Sequence, residues 1–76
     1  MGKLPVISGQ EAIKAFQKDG WSVANQEGSH VTLKKEGMDC NLSIPTHGGK
    51  DIKRGLLRKQ IAKAGLTVDE FVSLLK

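Results

Sequence analysis

Apolar and polar residues recur along this chain with two different periods. Ala12, Ile13, Ala15 and Phe16 fall at helical spacing, with Lys14, Gln17 and Lys18 between them. Ser8-Gly9-Gln10-Glu11 ahead of them reads as a capping box, in which hydroxyl and carboxylate satisfy each other's backbone N–H. Gly20 supplies the left-handed residue that ends such a helix. From Trp21 the period becomes two. Trp21 and Val23 alternate with Ser22 and Ala24 as a half-buried strand, and Glu27-Gly28-Ser29 is a turn. His30 to Lys34 forms a second strand, with Val31 and Leu33 facing one way and His30, Thr32 and Lys34 the other. After a turn at Lys35-Glu36-Gly37, a third strand is expected with Met38, Cys40, Leu42 and Ile44 inward and Asp39, Asn41 and Ser43 outward.

Pro45 stops that strand, and Thr46 to Asp51 reads as a Gly-rich basic loop. The helical period then returns from about Lys53 to Ala64. Leu56, Leu57, Gln60, Ile61 and Ala64 are expected on one arc, and Arg54, Arg58, Lys59 and Lys63 on the other. Gly65 ends this helix with Leu66 as its apolar contact, and Thr67-Val68-Asp69-Glu70 caps a short last helix through Phe71, Val72, Leu74 and Leu75. Connections this short between strands imply an antiparallel meander, and one sheet face remains for the amphipathic helices to cover. The expected fold class is α+β, an α-β-β-β-α arrangement like a double-stranded-RNA-binding domain. A three-stranded antiparallel sheet is covered on one face by two helices, and a short C-terminal helix follows.

Composition narrows this picture. At 76 residues the chain is expected to form a single domain, 1–76, with a small core. Cys40 is the lone cysteine, so no intrachain disulfide forms, and His30, Cys40 and His47 match no structural zinc spacing. No cofactor is expected. The first residues carry no apolar signal region and no apolar run exceeds two residues, so no membrane association and a cytoplasmic location are expected.

Charge is more informative. Between His47 and Ala64 stand six cations and one acid, a segment of +5, whereas the remainder of the chain sums to −1. A basic block on an otherwise neutral small domain points to a polyanion, nucleic acid first. His30 follows a Gly-Ser turn that lets backbone approach a ligand, and an imidazole transfers protons near neutral pH without a metal. Taken alone, His30 reads first as an ordinary surface histidine on a strand, His47 as a solvated loop histidine, and Cys40 as a small core side chain rather than a nucleophile. RNA is the substrate such minimal equipment suits, because its 2′-OH is a nucleophile already tethered beside the scissile phosphorus. A base and cations to hold phosphate then suffice. Three readings stay open on the residues alone: a ribonuclease, a non-catalytic RNA-binding module, and a domain whose cations meet an acidic protein.

The chain also resembles a known family, the HicA (YcfA-like) toxins. Ser8-Gly9-Gln10-Glu11 through Gly20-Trp21 is similar to their opening helix and Gly-aromatic pair, and Gly28-Ser29-His30 matches their Gly-Ser-His motif. Ile44-Pro45-Thr46-His47, followed by Lys53-Arg54-Gly55-Leu56-Leu57-Arg58, resembles the Pro-x-His segment and the start of the basic helix, and Ala64-Gly65-Leu66 its stop. Leu56 stands where the family usually has threonine. The resemblance implies an mRNA interferase of a toxin–antitoxin pair that cleaves mRNA without a metal and is neutralised by a HicB-like antitoxin. It makes His30 the catalytic residue and Gly28-Ser29 its positioning turn. Lys53, Arg54 and Arg58 become candidate phosphate contacts, with Lys34, His47, Lys50 and Lys59 as further expected RNA contacts.

Overall fold

The structure, a computed structural model, describes residues 4–46 and 51–76. The chain runs α1 (Gly9–Lys18), β1 (Ser22–Glu27), β2 (His30–Lys34), β3 (Leu42–Pro45), α2 (Arg54–Lys63) and α3 (Val68–Leu74). The strands form one antiparallel sheet in the order β1-β2-β3. This is the expected α-β-β-β-α fold with its additional helix.

Local chemistry sets most element ends. Ser8 and Glu11 make the reciprocal capping bonds of α1 at 3.3 and 3.4 Å, and Thr67 and Glu70 make those of α3 at 3.1 and 2.9 Å. Both glycine stops close in the same way. Gly20, at φ 102°, donates to the Gln17 carbonyl while the Trp21 N–H returns to Phe16, and Gly65, at φ 76°, donates to Ala62 while Leu66 returns to Ile61.

The core lies between one sheet face and the helices. Val31, Leu33, Leu42 and Ile44 point into it from the strands, and Ala12, Phe16, Leu57 and Ile61 from α1 and α2. α3 packs against both longer helices rather than on the sheet and delivers Phe71 onto Phe16, ring centroids 4.9 Å apart. Asp19 joins the end of α1 to the residue after β2: one carboxylate oxygen accepts from the Trp21 indole N–H and from Lys35 Nζ, both at 3.3 Å.

Three expectations need correction. Trp21 is buried but precedes the first strand, and all six residues of β1 are exposed, Val23 among them. β1 is an edge strand beyond the reach of the helices, and its pairing with β2 slips between Val23 and Asn25. The third strand begins at Leu42, not Met38. Met38 to Asn41 instead form an irregular stretch bent at Asp39 and Cys40, and the half-buried Cys40 donates its thiol to the Lys63 carbonyl at 3.3 Å. Leu56 is 37% exposed because the buried stripe of α2 is Leu57, Gln60, Ile61 and Ala64. One residue back from Leu57 turns a side chain about 100° away.

Candidate functional site

Sheet alternation puts Val31 and Leu33 against the helices, so His30, Thr32 and Lys34 lie on the opposite, open face. His30 is exposed and opens β2 directly after a two-residue turn. Gly28 sits at φ 56° and Ser29 is not left-handed, the sign pattern of a type II′ hairpin turn, which favours glycine first. Glu27 of β1 and Pro45 of β3 are the direct neighbours of His30 across the sheet.

The end of β3 is held from both sides here. On the β2 side, the Thr46 N–H and the Thr46 hydroxyl both donate to the Ser29 carbonyl, at 2.6 and 3.1 Å. On the other side, the start of α1 lies so close that a Cβ on Gly9 would collide with the Pro45 carbonyl oxygen. The chain then returns past α1, with Asp51 bridging to Ser8 and the Ile52 N–H donating to the Ile7 carbonyl at 2.9 Å.

Two anchors orient α2. The Gln60 amide oxygen accepts from the Ser43 N–H at 3.1 Å along the outer edge of β3, and Lys63 meets Cys40 below it. α2 therefore runs antiparallel to β3, with its first turn at the Pro45 end and its last turn at the Cys40 end. Gln60 also answers why a polar residue is buried in this helix: it satisfies an edge-strand donor.

The expected contacts consequently separate. Lys53 at the N-cap and Arg54 in the first turn stand at the Pro45 end of β3, the end that pairs with His30, although His30 itself faces the open side of the sheet; Arg58 follows Arg54 one turn later on the same ridge. Lys59 and Lys63 form a second ridge, displaced toward the Cys40 end. Lys34 shares the face of His30 but stands at the other end of β2, about 13 Å along the strand. His47 and Lys50 lie outside the described residues.

The electrostatics of α2 differ from those of its neighbours. α1 and α3 open with a capping side chain and acids, whereas α2 opens at Lys53 with no side-chain cap and no acid in its first turn. Cations therefore sit at the positive end of the helix dipole beside unsatisfied N–H groups, an arrangement that disfavours the free helix and favours a bound anion. Among the described residues, no three of His, Cys, Asp and Glu come together as a metal-binding group, and no helix is long and apolar enough to cross a membrane.

Gly9, Thr46 and Gln60 are residues whose part in this arrangement the sequence pattern did not single out.

A family model described as the HicA toxin of bacterial toxin–antitoxin matches residues 9–66, well over half of the chain. No curated protein matches it.

Proposed function

The chain belongs to the HicA toxin family of bacterial toxin–antitoxin systems, and from that membership we propose that it is a metal-independent endoribonuclease acting on mRNA and neutralised by a HicB-like antitoxin. One observation carries the reading. His30 projects from the open sheet face at the same end of β3 as the uncapped, cationic first turn of α2. A phosphodiester lying across that end meets Lys53, Arg54 and Arg58 while a ribose meets the imidazole. His30 takes the proton of the 2′-OH, the freed oxygen attacks the adjacent phosphorus, and the 5′ oxygen leaves with a proton from solvent. The products are a 2′,3′-cyclic phosphate and a 5′-hydroxyl. The cations stabilise the charge that builds on the phosphate oxygens. Gly28 and Ser29 shape the turn that presents the base, and Lys59, Lys34, His47 and Lys50 extend the RNA path. An antitoxin that covers either His30 or the arginine ridge suffices to stop cleavage.

His30→Ala in the full chain tests this. RNA cleavage is expected to fall by a factor of about 100 or more while far-UV circular dichroism stays native. Substrate with a single 2′-deoxy sugar at the cut position should resist the wild-type protein. Undiminished cleavage by His30→Ala removes His30 as the base. Intact RNA with wild-type protein, together with salt-sensitive binding, establishes the non-catalytic RNA-binding module instead.

A further inference from the structure

We propose that Thr46 is a positioning residue for His30, an assignment that rests on the reading of His30 as the general base. The oxygen that Thr46 holds is the Ser29 carbonyl, which belongs to the peptide unit joining Ser29 to His30. That unit is planar, so fixing its oxygen fixes the His30 nitrogen and Cα with it. Two donors on one carbonyl occupy both of its lone pairs and set the direction of the plane as well as its distance.

The clamp closes the last rung between β2 and β3. His30 and Pro45 form a pair without mutual hydrogen bonds, since the bond between β3 and β2 at this point runs from Thr46 to Ser29. It is the terminal rung, where strands fray first. The backbone of Pro45 points away from β2 at this position, as its carbonyl facing Gly9 shows, so it adds no bond to this end. The Thr46 hydroxyl supplies the second bond there. Gly9 closes the opposite side, where the Pro45 carbonyl faces the first turn of α1. The base is thus held to a strand end that cannot slide toward either neighbour.

Thr46→Val keeps the backbone rung and the side-chain shape but removes the hydroxyl bond. Steady-state cleavage of a short RNA should show kcat reduced about tenfold or more with KM within about threefold, because misplacement of a base costs turnover rather than phosphate binding. Thr46→Ser retains both donors and should keep kcat within about threefold of the unsubstituted protein, whether or not the valine variant folds. A full kcat in folded Thr46→Val alongside inactive His30→Ala overturns the assignment of Thr46 and leaves that of His30 standing. A tenfold loss in Thr46→Ser overturns it too. Cleavage surviving in His30→Ala overturns the underlying reading, and this assignment with it.

Discussion

Lys53→Asp should make the protein more stable and less able to bind RNA. Lys53 is the N-cap of α2, with φ −63° and ψ 135°, extended values suited to a capping aspartate. A carboxylate there can accept from the unsatisfied N–H groups of the first turn, worth about 1 kcal/mol. Exchanging a cation for an anion at the positive end of the dipole adds roughly 0.5 kcal/mol for each of the two changes. The expected gain is about 2 kcal/mol at low ionic strength, and for a domain of this size a melting midpoint about 8–16 °C higher. RNA affinity should fall in the same variant, and the slope of log affinity against log salt should lose about 0.7 for the missing phosphate contact on a single strand. Thermal melts followed by circular dichroism and fluorescence-anisotropy titrations across a salt series measure the two halves independently. An unchanged or lower midpoint refutes the argument that α2 opens against its own dipole. An unchanged salt slope refutes the placement of Lys53 on a phosphate.

Two more outcomes follow from the packing. Gly9→Ala forces a methyl into the Pro45 carbonyl, so urea unfolding should show a loss of about 3 kcal/mol, far beyond what an alanine in a helix normally does; a midpoint equal to the unsubstituted protein would contradict the close approach. Gln60→Leu removes the acceptor of the Ser43 N–H in a part-buried contact and should cost about 1 kcal/mol in the same assay, whereas a neutral effect would show that this edge needs no partner.

What the sequence made legible is the chemistry closed within a few residues. Both capping boxes, both glycine stops and the alternation of β2 depend on neighbours along the chain, and each appears where its pattern places it. Errors arose where a distant group competes. Met38 and Cys40 continue the alternation of Leu42 and Ile44, yet Cys40 finds its partner in Lys63, 23 residues away. Trp21 reads as the first inward residue of a strand, but its N–H completes the stop of α1 and its side chain belongs to the core. At the site, the position of His30 on the open face was readable from a period of two. That Thr46 ties down the peptide before it was not, because the bonded residues are 17 apart and a hydroxyl in a Gly-rich segment has no periodic signature. The division of the cations is similarly a tertiary matter, set by where Gln60 and Lys63 fasten α2 along β3.

The slip in β1 bears on what happens when many copies of the chain meet. A bare outer strand is a template onto which a second molecule can add its own, the first step toward sticky aggregates. The extra residue at Ala24 divides that template into a stretch of two paired positions and another of three, and the added twist turns them out of line. Neither stretch offers a foreign strand the long, flat ladder it needs, and the interruption is the work of one bulged alanine.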